Sequence, residues 1–236
     1  MKALILGAGK GSRLHPLTLF TNKIMLPLHD RPILWHIFDK LQQLKITEAA
    51  LIVRQEEKEW FEQKKELLLQ NRPLQLQIIA EDAWATKGMA GAVYAGRNFV
   101  SQDNFVVIPG DNAFTGDLAK TIGNFKSGAL VHRTQVNDPS RYGVGIFEGD
   151  EIVGIVEKPV NPPSNWALVS PYAFDGRACS IIEKLQPSAR GEYEITDLCR
   201  TYLDNKELVC PKLDGQMFDI GTFDSLLAAN NYFKQN

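Results

Sequence analysis

The sequence is poor in the residues that mark several classes of protein. It has only three cysteines, Cys179, Cys199 and Cys210, an odd number without metal-site spacing, so we expect buried, reduced thiols rather than disulfides. No apolar run approaches the ~20 residues of a membrane span, and the chain opens on a strand-like segment without the apolar core of a signal peptide. We therefore expect a cytoplasmic protein without a membrane partner.

The charges of the two signs nearly cancel. The formal net charge is −2 and 23% of residues are charged, which leaves no broad basic face and argues against nucleic acid as a partner. An anionic ligand would therefore have to meet a local cluster of cations. The 236 residues are enough for one large domain with a substantial core, and no internal repeat or linker-like tract divides them.

A glycine-rich loop follows the first predicted strand, residues 1–6. It reads Gly-Ala-Gly-Lys-Gly-Ser-Arg-Leu-His-Pro over residues 7–16, and its glycines would let backbone N–H groups approach an anion. It is not a Walker loop, because Lys10 precedes the last glycine instead of following it. A dinucleotide loop would need a third glycine where Ser12 stands. Two interpretations stay open: a plain tight turn, and a triphosphate site with Arg13 and Lys23 as ligands.

The hydrophobic pattern alternates between strands and helices in the first half of the chain and changes to shorter strands from about residue 131. Because strands that alternate with helices pair in parallel, we predict an α/β fold, a Rossmann-like mixed, mostly parallel sheet flanked by helices, in a single domain 1–236. Strands are predicted at 1–6, 49–53, 76–80, 105–108, 128–132, 142–147, 151–157, 167–174 and 208–212, and helices from residue 32, at 56–70, 118–125, 178–185 and 195–203, and after 217–222.

Two aspartates stand where a ligand site is expected. Asp111 follows the buried strand 105–108, and ligands of such sheets bind beyond the carboxyl ends of the strands. A carboxylate there suits Mg²⁺, although a cap for the next helix is an equal alternative. Asp219 precedes a glycine and a helix start, so capping is an alternative for it as well.

Several longer motifs resemble those of one enzyme family. The run 9–16 with Thr18, followed by Lys23, Leu26-Pro27 and Arg31-Pro32, resembles the opening signature of the sugar-1-phosphate nucleotidyltransferases. Further motifs at 110–112, 136–144, 157–159 and 187–197 are most similar to those of the glucose-1-phosphate thymidylyltransferases. The resemblance spans nearly the whole chain. It implies the nucleotide-diphospho-sugar transferase fold, with a nucleotide-binding half at about 1–130 and a sugar-phosphate-binding half of shorter strands at about 131–236.

The resemblance also implies a reaction and its partners. A sugar-1-phosphate oxygen attacks the α-phosphorus of a nucleoside triphosphate, which releases pyrophosphate and leaves an NDP-sugar. Because the nucleophile is already an anion, no Ser-His or Cys-His base is needed. Positioning and cations must instead overcome the repulsion of two anions. The implied substrates are dTTP and glucose-1-phosphate, with Mg²⁺ as cofactor, and UTP, CTP or GTP with another sugar-1-phosphate is the open alternative.

The resemblance assigns roles to particular residues. Arg13 is expected on the β- and γ-phosphates, Lys23 on the α-phosphate or the leaving pyrophosphate, and Lys158 and Arg190 on the sugar phosphate; these four form the catalytic set. Asp111 and Asp219 would share one Mg²⁺. The nucleotide would also contact Gly7, Ala8, Gly9, Gly11, Ser12, Glu81, Gly88 and Asp111. The sugar phosphate would contact Asn112, Tyr142, Gly143, Glu157, Lys158, Val169 and Arg190.

Three departures from the family pattern bear on specificity. Glu81-Asp82 stands where these enzymes usually place a base-reading glutamine, and an ionised glutamate only accepts hydrogen bonds. Ser170 replaces a glycine beside the sugar, which could alter the pocket. Relatives also carry further C-terminal helices for oligomer contacts and a second nucleotide site. The chain stops after Phe233, so neither is carried over, and homo-oligomer formation stays open.

Two rival functions fit the sequence less well. A dinucleotide-dependent oxidoreductase would need an acidic residue at the end of the second strand to read a ribose, and only Glu56-Glu57 stand nearby. A non-catalytic sugar-nucleotide sensor would be expected to lack one of Arg13, Lys23, Asp111 or Asp219. All four are present.

Overall fold

A computed structural model describes residues 1–83 and 87–235 of the chain. Most predicted strands are found with ends shifted by one to three residues. In chain order the strands are β1 (Lys2–Leu6), β2 (Pro27–Leu28), β3 (Arg31–Pro32), β4 (Glu48–Val53), β5 (Gln75–Ala80), β6 (Phe105–Pro109), β7 (Asn112–Phe114), β8 (Ala129–Gln135), β9 (Gly143–Glu148), β10 (Glu151–Glu157), β11 (Trp166–Phe174), β12 (Leu208–Val209) and β13 (Met217–Asp219).

The helices follow the same alternation. They are α1 (Ile33–Gln43), α2 (Lys58–Leu69), α3 (Met89–Ala95), α4 (Arg97–Val100), α5 (Ala119–Ile122), α6 (Ala178–Ile182), α7 (Ile195–Asp204) and α8 (Phe223–Gln235). No helix in the described ranges is both long and apolar enough to cross a membrane.

The central sheet is mixed, as predicted. Its strands run in the order β10-β9-β11-β6-β1-β4-β5, and β8 joins through β11 with β12 on its far side. The strands β6, β1, β4 and β5 pair in parallel, while β11 pairs antiparallel with β6, β8 and β9. Residues 1–130 and 131–236 thus contribute strands to one continuous sheet, with β6 and β11 as the join.

The core lies on both faces of this sheet. Along β1, Ile5 packs into one apolar cluster with Phe38 of α1 and Phe61 of α2. Its neighbour Leu4 packs into a second cluster on the opposite face, with Tyr202 of α7. A parallel strand covered on both faces must be apolar at successive positions, which explains the unbroken hydrophobic runs of β1, β4 and β6.

The structure corrects several predicted elements. Residues 112–114 form β7, which was not predicted, and it pairs antiparallel with β13. The predicted helix 118–125 is only α5, and the predicted strand 208–212 contracts to β12 with one isolated bridge at Lys212. The three cysteines are free and buried, as expected. Residues 84–86 of the predicted base-reading segment lie outside the described residues.

Candidate active site

The glycine-rich loop leaves β1 in a fixed conformation. Gly7 donates its N–H to the Ile52 carbonyl oxygen (2.7 Å), which joins the start of the loop to β4. Gly11 has a φ of 64°, which favours glycine, and its carbonyl accepts a hydrogen bond from Thr18 Oγ1 (2.8 Å). A short 3-10 helix, Ser12–Leu14, follows and carries Arg13. The loop is therefore held at both ends.

Lys23 reaches back to this loop. A β-carbon placed on Gly9 would lie only 2.9 Å from Lys23 Nζ, so the ammonium lies directly against the loop backbone. The same ammonium forms an ion pair with Asp111, and both side chains are about 14% exposed. Asn22, the residue before Lys23, ties this segment to the loop: its side chain donates to the Gly7 carbonyl (2.9 Å) and accepts from the N–H of Ile24 (3.0 Å).

The two aspartates predicted to share a cation lie on neighbouring segments, because Asp111 immediately precedes β7 and Asp219 ends β13, the strand that pairs with β7. Asp111 follows β6, and the N–H of Ile220 donates to its carbonyl oxygen (2.8 Å). Asn112 of β7 is paired in register with Asp219 of β13. Burial raises the pKa of Asp219, the charge of Asp111 raises it further, and Arg13 and Lys23 act in the opposite direction. The carboxylates are therefore near enough to repel each other.

Neither aspartate caps a helix. Asp117 performs that role for α5 by accepting the N–H of Ala119 (2.9 Å), and Thr222 accepts the N–H of Ser225 (3.2 Å) at the start of α8. Other residues therefore cap these two helices, and the carboxylates of Asp111 and Asp219 both face the cleft.

The donor chemistry of this pair suits a magnesium ion. Mg²⁺ is commonly held by one or two carboxylates together with substrate phosphates rather than by a cage of protein ligands. Asp111 and Asp219 supply two such carboxylates, and among the described residues no larger cluster of His, Cys, Asp or Glu has metal-site geometry. The mutual repulsion that raises the pKa of Asp219 is the kind that a shared cation relieves.

Two cavities meet at Asp111. The loop cavity, about 450 Å³, is lined by Ala8, Gly9, Lys10, Lys23, Glu81 and Gly88 and by apolar side chains of β1, β4 and α3. The strand cavity, about 320 Å³, is lined by Arg13, Asn112, Tyr142, Glu157, Lys158 and Asp219 together with residues of β11 and α7. Met89, Pro109 and Asp111 line both. A larger groove of about 770 Å³ at Arg133 and Lys212 shares no residue with either.

Unpaired cations surround this meeting point. Within the described ranges, no hydrogen bond or ion pair engages the side chains of Lys10, Arg13 or Arg141, although each lines a cavity. The Arg13 guanidinium lies against Gly221, where a β-carbon would be 2.8 Å from its Nη2. Arg141 was not among the predicted site residues, although it lies beside Tyr142 in the motif 136–144. Three cationic side chains that no hydrogen bond or ion pair of the described residues engages favour an anionic ligand in this cleft.

The far wall of the strand cavity is built around Glu157. Its carboxylate accepts a hydrogen bond from Thr196 Oγ1 (2.9 Å) and lies 3.6 Å from Lys158 Nζ. The N–H of Lys158 donates to the Tyr142 carbonyl (3.0 Å), which ties the two predicted segments together. Gly143 allows this close packing, because a β-carbon there would lie 2.4 Å from Thr196 Cγ2.

Arg190 lies at the rim rather than in the lining of this cavity. Its guanidinium donates to Glu194 (2.7 Å), to Glu192 (3.1 Å) and to Glu157 (3.4 Å), and the side chain is 41% exposed. These partners, Glu194 first, raise its pKa. The hydrogen bonds that the described residues accept from this side chain come from Nε and Nη2, so a phosphate in the predicted role would meet the Nη1 amino group without displacing them.

The remaining predicted residues divide between cleft and scaffold. Val169 and Ser170 line the strand cavity, and the Ser170 hydroxyl donates to the side-chain oxygen of Asn112. Gly88 lines the loop cavity with a φ of 92°, and a β-carbon there would lie 2.7 Å from the Tyr193 carbonyl oxygen. Gly7, Gly11 and Ser12 line neither cavity.

Comparison with known proteins agrees with this arrangement. A family model described as nucleotidyl transferase matches residues 2–236. The chain belongs to the nucleotidyl transferase family. The family predicted from the motifs is thus confirmed, and the chain is an enzyme of this class.

Similar proteins within the nucleotidyl transferase family share most of their length with it. A glucose-1-phosphate thymidylyltransferase of Neisseria meningitidis is 35% identical over 98% of this chain and 82% of its own. A crystal structure assigned to a glucose-1-phosphate thymidylyltransferase of Bacillus anthracis, in complex with sucrose, superposes with a TM-score of 0.90 at 36% identity, over 100% of this chain and 96% of that one. A UDP-glucose pyrophosphorylase with UDP-glucose, 24% identical with a TM-score of 0.84 over 100% of this chain and 99% of its own, shares the fold.

Proposed function

We propose that the protein transfers a nucleotidyl group from a nucleoside triphosphate to a sugar-1-phosphate and releases pyrophosphate. The observation that carries this proposal is the convergence of Arg13, Lys23, Asp111 and Asp219, from distant parts of the chain, at the junction of two cavities. The loop cavity would hold the nucleoside and the strand cavity the sugar, so that the phosphates of both substrates would meet at Asp111, where Arg13 lines the strand cavity. The similar thymidylyltransferases favour dTTP and glucose-1-phosphate as the first pair to test.

The reaction forms one bond and breaks one. A phosphate oxygen of the sugar-1-phosphate bonds to the α-phosphorus as the bond from that phosphorus to the bridging oxygen of pyrophosphate breaks. Lys23, held against Gly9, would neutralise charge on the α-phosphate, and the planar guanidinium of Arg13 would grip the leaving phosphates. Arg141 and Lys158 would offset the charge of the attacking phosphate. Glu157 would accept hydrogen bonds from sugar hydroxyls.

Asp111 and Asp219 would hold one Mg²⁺. When bound, the ion would supply a divalent charge that screens the repulsion between the two phosphates. In its absence Lys23 forms an ion pair with Asp111, which orients this carboxylate towards the cleft.

A pyrophosphate-release screen tests the proposal. Each of dTTP, UTP, CTP, GTP and ATP is combined with glucose-, galactose-, mannose- and N-acetylglucosamine-1-phosphate, with and without Mg²⁺. We expect the highest turnover with dTTP and glucose-1-phosphate and none after chelation of Mg²⁺. Absence of pyrophosphate release with every pair would refute nucleotidyl transfer to these sugar phosphates.

A further inference from the structure

A chain of buried hydrogen bonds joins β11 to the carboxylate of Asp111. The Ser170 hydroxyl donates to the side-chain oxygen of Asn112, and Nδ2 of Asn112 donates to Oδ1 of Asp111 (3.3 Å). Ser170 is 2% exposed and Asn112 is 6% exposed. All three residues line the strand cavity. The chain therefore runs along the wall of this cavity and ends at one of the two carboxylates proposed to hold the metal ion.

Chemistry fixes the direction of these hydrogen bonds. An ionised carboxylate only accepts, so the amide of Asn112 must turn its nitrogen towards Asp111 and its oxygen towards Ser170. Because that oxygen is an acceptor, the Ser170 hydroxyl must donate to it. A glycine or alanine in place of Ser170 would offer no donor, and the buried amide oxygen would lose its partner. Ser170 thus determines how the Asn112 amide is held.

Asp111 receives one donor on each of its two oxygens. Asn112 donates to Oδ1, and the Lys23 ammonium pairs with Oδ2. Two donors on different oxygens fix the plane of the carboxylate as well as its direction. The bond from Asn112 is longer than the usual range of about 2.7–3.2 Å for an N–H donor, so its geometry depends on how firmly the amide is held. Ser170 can therefore influence Asp111 without touching it.

The same amide lies beside the strand of the second aspartate. Asn112 begins β7 and is paired in register with Asp219, which ends β13. Within the described ranges, Ser170 and Asp111 are the two hydrogen-bond partners of the amide, 58 positions and one position away in sequence. Loss of the Ser170 hydroxyl would free the amide to rotate away from Asp111. Carboxylates that ligate metals are commonly held by such hydrogen bonds from behind.

We propose that Ser170 is a positioning residue of the metal site: through the amide of Asn112, its hydroxyl holds the Asp111 carboxylate in the orientation that binds the divalent cation. This inference rests on the proposed function, in which Asp111 and Asp219 share Mg²⁺. Removal of a hydrogen-bond partner behind a metal ligand typically weakens metal binding by about 10–100-fold. Loss of the Ser170 hydroxyl should therefore act on the affinity for the cation.

Binding of Mn²⁺, which takes the same oxygen ligands as Mg²⁺, measures this effect without turnover. The full-length wild type and Ser170→Ala are titrated with Mn²⁺ alone, and the free ion is followed by electron paramagnetic resonance. We expect the dissociation constant to rise by about tenfold in Ser170→Ala. Ser170→Cys keeps a side chain of similar size but only a weak donor, so it should show the same loss without leaving a cavity. Asp219→Asn, which removes a proposed ligand, gives the reference for a damaged site.

Ser164→Ala is the matched control. Ser164 precedes β11 and lines neither cavity. Its hydroxyl donates to the Gly145 carbonyl (2.6 Å) and accepts the N–H of Trp166 (3.1 Å), so its loss also breaks hydrogen bonds at this strand. Ser164→Ala should lower the urea midpoint of unfolding and leave Mn²⁺ binding as in the wild type. A purely structural role of Ser170 would give this same result in its own variants.

Other outcomes overturn the inference in distinguishable ways. Unchanged Mn²⁺ binding in both Ser170 variants, with pyrophosphate release by the wild type intact, would refute it and leave nucleotidyl transfer standing. If the KM for glucose-1-phosphate rose in those variants while Mn²⁺ binding stayed unchanged, Ser170 would be a contact of the sugar instead. Failure of the wild type to bind Mn²⁺ would remove the metal site on which the inference rests. Failure to release pyrophosphate from any triphosphate would remove the proposed function as well.

Discussion

Gly9→Ala is the sharpest test of the role of Lys23, because it moves the ammonium without removing it. The new β-carbon would lie 2.9 Å from Lys23 Nζ and 3.1 Å from its Cε. Ordinary contact needs about 3.5–4.0 Å, so the end of the lysine must retreat by roughly 0.5–1 Å. The atoms that must move are the far end of a flexible side chain rather than backbone. We therefore expect the fold to accept the methyl group.

Gly9→Ala should lower the catalytic rate rather than the stability of the fold. A misplacement of about 1 Å at a reacting group can lower a rate by ~10²-fold, so we expect kcat to fall by about one to two orders of magnitude. The free energy of unfolding should change by less than about 1 kcal/mol, within the range of substitutions that leave the core intact. Pyrophosphate release measures the first quantity, and urea unfolding followed by circular dichroism measures the second.

Two controls separate catalysis from folding. Gly154→Ala, in β10, places a β-carbon 3.2 Å from the flexible end of Ile146, outside both cavities, and should leave kcat unchanged. Gly7→Ala places one 3.1 Å from the Ile52 carbonyl oxygen, in the scaffold of the loop, and should lower stability. An undiminished kcat in Gly9→Ala would refute the placement of Lys23 at the reacting phosphate. A parallel loss of stability would assign the effect to folding.

Four further substitutions probe other groups. Asp111→Asn and Asp219→Asn should each lower Mg²⁺-dependent pyrophosphate release by roughly 10²–10³-fold while circular dichroism shows an unchanged fold; normal turnover would contradict the metal role. Arg190→Ala should raise the KM for sugar-1-phosphate more than that for the nucleotide, and the reverse order would place this residue on the other substrate. Burial lowers the pKa of His132 to about 4, below that of an unfolded histidine, so its stabilising effect is present above about pH 6.5 and is lost as pH falls towards 4. Urea unfolding of His132→Gln at several pH values should show a weaker loss of stability in acid, and identical acid profiles would contradict the assignment.

The sheet was predictable where burial alone decides the pattern. The strands β1, β4 and β6 are apolar at successive positions because both faces are covered, and this signal needs no knowledge of partners. By contrast, β7 has three residues and exists through its pairing with β13, more than 100 residues later. Such a short segment carries no periodicity of its own, so only the tertiary structure reveals it.

The site shows the same division. Local sequence left each of Asp111 and Asp219 as either a helix cap or a ligand, because an aspartate before a turn looks alike in both cases. The pairing of β7 with β13 brings the two carboxylates together, and Asp117 and Thr222 take the capping positions. The contact of Arg190 with Glu157 was equally hidden, since it spans 33 positions in sequence, whereas Glu192 and Glu194 lie only two and four residues away.

The arrangement of charges, rather than any single residue, explains why this site favours anionic ligands together with a divalent cation. Lys23 is neutralised by Asp111, whereas Lys10, Arg13 and Arg141 have no partner in the ranges that the structure describes. Lys10 lines the loop cavity, and Arg13 and Arg141 line the strand cavity, so phosphates that meet at Asp111 would find cations on both sides that need not first leave other bonds. Asp219 ends β13 and Asp111 immediately precedes β7, the strand that pairs with it, so a divalent cation that arrives with the nucleotide would bind where the two carboxylates come together. Binding of the two would then be mutually favourable, because each supplies the charge that the other lacks.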